Sequence, residues 1–374
     1  MATIQLQEVY DAPQSSVNEN HPPSRDQRGM STVDVVIPCY NYGRYLRACV
    51  ESVLTQPGVA VRILIIDDAS SDNTVEIARD LAARNSNVEF RRHEINRGHI
   101  ATYNEGLLEW SSADYVVLLS ADDMLAPGSL RRAVQIMDAD HTIGMVYGRT
   151  IHFREEKDIP DVTEGNARYS QFSGKRWLHD RCRAGHNVIT SPEVVVRGNV
   201  QRLVGGYCAE LPQSGDLEMW LRIAAVSNIA YVHLPQAFYR VHQASMQRTR
   251  FRGSFVDLVH RKDAFYCFFN KHASSLDGAG LHEIVNRILA REALWDACRA
   301  YDHDRIEASP VAELVEFAMS TYPKAASLPE YAALRRRQLL GSTFCSRSQI
   351  FVIPAAIRWT IRWWRKQRMQ RYGV

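Results

Sequence analysis

Residues 33–68 read VDVVIPCYNYGRYLRACVESVLTQPGVAVRILIIDD. Val33–Pro38 and Val61–Asp67 are short, nearly continuous apolar runs, the pattern of strands covered by helices on both faces of a parallel sheet. Between them Tyr45–Leu54 carries its apolar residues at helical spacing. Working outward, Asn73–Arg84 reads as a second helix, with Asn73 as the expected cap and Glu76 three residues on. A strand over Val88–Arg92, a helix near His99–Leu108, a strand over Tyr115–Ser120 and a helix opening at Pro127 follow. The alternation predicts an α/β fold: an open, doubly wound, mostly parallel sheet with helices on both faces.

The rest of the chain is organised around that block. Residues 1–30 are polar, dotted with proline and aperiodic, and read as a flexible tail. The main domain is expected over 31–250, where the segment after 151 completes the sheet and walls one side of it. Residues 251–374 read as a helical extension: Leu281, Ile284, Ile288 and Leu289 recur at helical spacing, and Ser309-Pro310 suits a helix start. With 374 residues, 45% hydrophobic, the chain has material for one large domain plus an appendage. A formal net charge of +3 gives no reason to expect nucleic acid as a partner. The seven cysteines are scattered and never spaced C-x-x-C, which argues against zinc and against a disulfide framework. The first thirty residues lack a basic segment followed by an apolar core, and no run reaches the roughly 18 apolar residues that span a bilayer. The expected setting is the cytoplasm, with peripheral attachment to the inner face of the plasma membrane.

In an open α/β sheet, ligands bind beyond the carboxyl ends of the strands. Three strand ends here are chemically loaded: Pro38-Cys39-Tyr40-Asn41, Asp67-Asp68-Ala69-Ser70-Ser71-Asp72 and Ser120-Ala121-Asp122-Asp123. Aspartates at strand ends also make turns and caps, and Asp72 is read as one of these. Two acidic pairs on one rim repel each other unless a cation or donor groups answer them. A hard divalent cation takes one or two carboxylates and fills its remaining positions with water and phosphate oxygens, so the pattern suits a metal-held nucleoside diphosphate.

Over Ser31–Met246 the sequence resembles the family 2 inverting glycosyltransferases of GT-A fold. The resemblance rests on Val35-Val36-Ile37-Pro38-Cys39-Tyr40-Asn41, Ile66-Asp67-Asp68-Ala69-Ser70-Ser71-Asp72, Asn96-Arg97-Gly98 leading to Asn104-Glu105-Gly106, and Leu119-Ser120-Ala121-Asp122-Asp123. It continues through Gly215-Asp216-Leu217-Glu218 and Tyr239-Arg240-Val241-His242. The resemblance implies that Pro38, Tyr40 and Asp68, with Asp67 beside it, hold the nucleoside; an aromatic ring can face the base and a carboxylate can accept a uracil N–H. It also implies that Asn96 and Arg97 approach the nucleotide, the guanidinium offsetting diphosphate charge. The family's D-x-D appears here as Ser120-Ala121-Asp122, a departure that replaces the first carboxylate with a hydroxyl. Ala121 and Asp122 then fall at the donor, and Asp122, Asp123 and His242 are the implied ligands of a divalent cation, Mn²⁺ or Mg²⁺. Asp216 takes the position of the family's general base, which removes the acceptor proton as the glycosidic bond forms, and Glu218 that of a companion acid. A different role for Asp216 is to cap the helix that continues through Met219 and Trp220.

The implied partners are a nucleotide-sugar donor, UDP-linked in the first instance, and a glycan or lipid-linked acceptor in bacterial cell-surface polysaccharide synthesis. Residues 350–374 add a membrane surface. On a helical wheel Arg358, Arg362, Arg365 and Lys366 lie opposite Ile353, Ile357, Ile361 and Trp364, two faces that suit an anionic membrane. Competing classes fare poorly. The first strand is not followed by Gly-x-Gly-x-x-Gly, there is no P-loop, and His93-Glu94 and His282-Glu283 lack the second histidine of a zinc-protease motif. The alternative that retains weight is a catalytically silent GT-A-like protein that binds a sugar nucleotide or serves as a scaffold, for which Ser120 is the argument.

Overall fold

The computed structural model describes residues 29–162, 164–165, 168–242, 254–272 and 278–348, with 351, 360, 364 and 373 singly. These fall into two compact units, residues up to 178 with 187–243, and 179–186 with 244–372. The expected tail and the expected basic helix at the carboxyl end lie almost wholly outside the described residues.

In the first unit the chain alternates β1 (Thr32–Cys39), α1 (Gly43–Leu54), β2 (Ala60–Asp67), α2 (Thr74–Arg84), β3 (Val88–Arg92), α3 (His99–Asn104) and β4 (Tyr115–Leu118). Strands β3, β2, β1 and β4 lie side by side and all parallel. Val33, Val35, Val36 and Ile37 of β1 and Ile63 through Ile66 of β2 are fully buried, which accounts for their lack of apolar/polar alternation. Leu46, Cys49, Val50 and Val53 make the buried stripe of α1 at spacings of three and four, and they join β1 and β2 in one core. Each such side chain contributes about 1.5–3 kcal/mol by leaving water.

Beyond β4 follow β5 (Met124–Leu125), α4 (Ser129–Ala139), β6 (Ile143–Phe153), β7 (Tyr169–Phe172), α5 (Gly174–Ala184), β8 (Val195–Arg197), α6 (Gly198–Val204), α7 (Gly215–Val226) and β9 (Asn228–Arg240). The sheet runs β3-β2-β1-β4-β8-β6-β9-β5, and β7 also pairs with β9. Short β8 enters antiparallel between β4 and β6, so the sheet is mixed, while β6 and β9 pair parallel over their length. This is the GT-A arrangement expected from the sequence.

Local departures have physical causes. Asn73 makes no capping bond; Asp72 instead accepts from the Thr74 amide at 3.0 Å and from the Gly43 amide at 3.1 Å, tying the starts of α2 and α1 together. The helix expected at Pro127 begins at Ser129, because Gly128 first turns the chain with a positive φ of 69°. After Asn104, α3 loosens into a π-helical segment, Glu105–Trp110. There Gly106 passes so close to β1 that a Cβ would sit 2.2 Å from Val36 Cγ1.

In the second unit, α8 (Ser254–His272), α9 (Gly278–Asp302), α10 (Val311–Thr321), α11 (Pro329–Leu340) and α12 (Ser342–Arg347) form a helical array. Val285, Leu289, Leu294, Ala297 and Cys298 are fully buried along α9 and spread over more than half of its circumference. Arg337 of α11 grips Asp302 with two bonds, at 2.7 and 3.0 Å.

Candidate active site

The carboxyl ends of β1 and β2 form the first wall of the site. Asn41 and Ala69 both adopt positive φ, 58° and 62°, and their loops are laced together: the Asn41 amide donates to Ser70 Oγ, and Asn41 Oδ1 accepts from the Ser71 amide. Asp67 is fully buried and serves this loop, accepting weakly from the Ser70 amide at 3.3 Å and facing Arg92 Nε at 3.5 Å. Asp68 is nearly buried. It accepts from the amides of Arg97 at 2.7 Å and Gly98 at 2.9 Å, and its Oδ1 lies 2.8 Å from His93 Nδ1. Its Oδ2 has accepted one of those bonds and retains acceptor capacity. Asn96 donates to the Asp68 carbonyl, Arg97 extends outward, 56% exposed, to Glu105, Tyr40 stands half exposed on the rim, and Pro38 pairs with Ile66 inside the sheet. The Asp68 bonds organise the Asn96–Gly98 turn, so these residues are built as one piece.

His93 joins this wall although the motif reading discarded it. Its second ring nitrogen lies 2.9 Å from Glu105 Oε2, at the start of the π-helical segment. The signal was its position directly after β3, the same rim rule that picked out Asp68.

The second wall is the turn after β4. Ala121 is wholly buried in the core, so only its backbone can face a donor. Asp123 turns inward: its Oδ1 accepts from the Arg240 amide at 2.9 Å, and burial, then the neighbouring Asp122 charge, raises its pKa well above the ordinary carboxylate range. Asp122 and His242 face each other, with Oδ2 and Nε2 2.9 Å apart. Arg240 secures this turn from the end of β9. Its Nε donates to the Asp122 carbonyl at 2.9 Å, and its guanidinium lies over the rings of Tyr45 and Phe153 at 4.4 and 4.5 Å. The His242 ring packs against Tyr42 and Tyr45, and its Nδ1 is buried without a hydrogen-bond partner among the described residues.

Among the described residues no three His, Cys, Asp or Glu side chains gather as a metal cage. Two ligands suffice for a cation that also takes diphosphate oxygens and water. Neighbouring ligands of an octahedral ion at about 2.1 Å stand roughly 3 Å apart, which matches the spacing of Asp122 and His242. These two therefore fit a divalent ion, whereas Asp123 is committed elsewhere.

The third wall carries Asp216. Ser214 occupies the cap position of α7, so Asp216 falls in its first turn and makes no capping bond. Its side chain is engaged instead by Ser191, whose Oγ donates to Oδ2 at 2.5 Å, and by the Tyr207 phenol. Burial raises its pKa against the opposing pull of these two donors and of nearby His99. Glu218 forms a buried ion pair with Arg222 at 2.8 Å on the same helix, a structural role. Glu193 is buried and accepts from the Thr190 amide at 2.7 Å. Burial pushes its carboxyl up to about 7, with Asp216 adding to the shift.

Tyr103 links the walls. Its ring packs edge-on against His99 and Tyr207, each at 5.4 Å, and burial, then Asp216, then Asp122 raise its phenol pKa above the ordinary value. Asp68 organises the turn from which the Tyr103 helix starts, and the Tyr103 ring touches Tyr207, which donates to Asp216. Tyr103, Tyr207, Ser191 and Glu193 were not singled out in the sequence; only Tyr103 lies within a quoted motif, between Gly98 and Asn104.

The model of glycosyl transferase family 2 matches residues 34–194. An uncharacterized protein of Mycobacterium tuberculosis is 27% identical over 244 residues, 62% of this chain and 73% of its own length. The chondroitin synthase of Pasteurella multocida is 30% identical over 201 residues, 54% of this chain but 20% of the synthase. An uncharacterized glycosyltransferase of Nostoc is 28% identical over 39% of this chain, which spans about half of that relative, 47%. Among solved structures, Staphylococcus aureus TarS 1-349 in complex with UDP-GlcNAc superposes with a TM-score of 0.58 at 15% identity, covering 83% of this chain and 91% of that one, a likeness of fold. With motif order, sheet topology and family model in accord, residues 34–194 match the glycosyl transferase family 2 domain, set in a GT-A fold.

Proposed function

We propose that the chain is an inverting glycosyltransferase that moves a sugar from a nucleoside-diphosphate donor, UDP-linked in the first instance, to a hydroxyl of a glycan or lipid-linked acceptor in cell-surface polysaccharide synthesis. The observation that supports the reading is a run of contacts from one wall to the next: Asp68 fixes the turn that starts the Tyr103 helix, the Tyr103 ring packs on Tyr207, and Tyr207 and Ser191 both donate to Asp216. On this proposal the leaving-group side and the base side share one cleft.

In this reading Tyr40 and Pro38 border the nucleoside, and Asp68, with Asp67 securing its loop, accepts a base N–H on Oδ2. Asn96, Arg97 and the Ala121 backbone border the diphosphate. Asp122 and His242 would hold Mn²⁺ or Mg²⁺, which supplies Lewis-acid neutralisation of the leaving diphosphate. Asp216 accepts the acceptor's proton as its oxygen attacks the anomeric carbon; the bond to the diphosphate oxygen breaks, and the electron pair leaves with it. A single displacement inverts the anomeric centre. Ser120 in place of the family's first D-x-D carboxylate leaves Asp122 as the one acidic donor to the ion, and a catalytically silent binder is the reading this substitution favours. A thermal-shift screen of UDP-, GDP- and dTDP-sugars with and without Mn²⁺ tests the donor half, since a ligand of the folded state raises the melting temperature. UDP-sugars should stabilise the protein only with metal, and Asp122→Asn should abolish that shift. Stabilisation by UDP-sugars without metal, or an undiminished shift in Asp122→Asn, would refute it.

A further inference from the structure

Ser191 has a positive φ of 97°, a conformation suited to glycine, yet it is a serine directly before Pro192. The strain is held from both sides. The Val194 amide donates to the Ser191 carbonyl at 3.1 Å, the preceding Thr190 amide is taken by Glu193 at 2.7 Å, and Pro192, Glu193 and Val194 are buried. The side chain so presented has one use in the structure: Oγ donates to Asp216 Oδ2 at 2.5 Å. A residue kept in an unfavourable backbone state where glycine would sit at ease, with its hydroxyl on the candidate base, marks a constraint imposed by function.

We propose that Ser191 is a positioning residue for Asp216, its turn holding Oγ so that one carboxylate oxygen is fixed and the plane of the base is set toward the acceptor. The inference rests on Asp216 as the base, but its test does not. The charged and titratable groups around Asp216 are Tyr207, which also donates to it, Tyr103, Glu193 and His99, and all of them remain when Ser191 is changed. A hydroxyl donating to a carboxylate favours its charged form, so losing the hydroxyl raises the carboxyl's pKa.

The experiment compares full-length Ser191→Gly and Ser191→Ala with the parent protein. The titration of Asp216 is followed by the carboxyl signal of ¹³C-labelled aspartate, assigned with Asp216→Asn, and the melting temperature is recorded for each variant. Both variants should raise the Asp216 midpoint by about one pH unit, a tenfold change in proton affinity. Ser191→Gly should melt no lower than the parent and higher than Ser191→Ala, because glycine relieves the backbone while alanine does not. An unmoved midpoint in either variant, or a Ser191→Gly protein that melts below Ser191→Ala, overturns the proposal. The base assignment itself fails separately, if Asp216→Asn transfers sugar as fast as the parent.

Discussion

The carboxyls of half-buried Asp216 and buried Glu193 make the residue scale testable by pH. Burial raises the Asp216 pKa above its ordinary 3.8, and the base works only when ionised. The transfer rate should therefore fall as pH drops through a midpoint displaced upward from that value, read from the acid limb of the kcat profile. Glu193 gives a stability signature of definite sign. Its folded pKa, near 7, exceeds the ordinary 4.5, so between these values the folded state holds a proton that the unfolded state has released. Stability from this group is thus greatest below the unfolded pKa and declines as pH rises toward 7. Glu193→Gln, uncharged at every pH, should be more stable than the parent at about pH 8, by on the order of 3 kcal/mol, with the advantage shrinking as pH falls and gone below about pH 4 in urea unfolding. A constant difference across that range would contradict the assignment.

At the scale of elements, two contacts set the walls of the cleft. Gly106 lets the π-helical segment after α3 lie against Val36, so Gly106→Ala should cost about 1–3 kcal/mol in unfolding free energy by overpacking. Arg240 clasps the Asp122-Asp123 turn from β9 through a fork and a stacked plane that lysine cannot reproduce. Arg240→Lys should lower stability by about 1–3 kcal/mol and weaken Mn²⁺-dependent UDP binding, measured by urea unfolding and by calorimetric titration. The same elements explain what the sequence disclosed. β1 and β2 were legible because two-sided burial leaves an unbroken apolar run, and the acidic strand ends were legible because the rim rule needs only strand order. The inward turn of Asp123 was not legible, because its partner is a backbone amide 117 positions away, at Arg240. Ser191 and Tyr207 escaped notice for a related reason: their significance is contact with Asp216, and neither periodicity nor local spacing encodes that contact. β8, three residues long and antiparallel, is too short for any periodic signal.

At the scale of the whole molecule, none of the helices among the described residues is long and apolar enough to cross a membrane. The basic, tryptophan-bearing stretch 350–374 remains a proposed surface anchor, and truncation after Gln349 should shift the protein from the membrane fraction to the soluble one on fractionation. Unchanged partitioning would remove the anchor from the account without touching the cleft. The proposed function stands on Asp68, Asp122 and Asp216 acting around one donor, and Asp216→Asn tests that most directly. Transfer of radiolabelled sugar from a UDP-sugar with Mn²⁺ should fall by about a thousandfold or more, while calorimetric UDP affinity stays within about twofold of the parent. Transfer within about tenfold of the parent, or loss of UDP binding in parallel with transfer, would contradict the account.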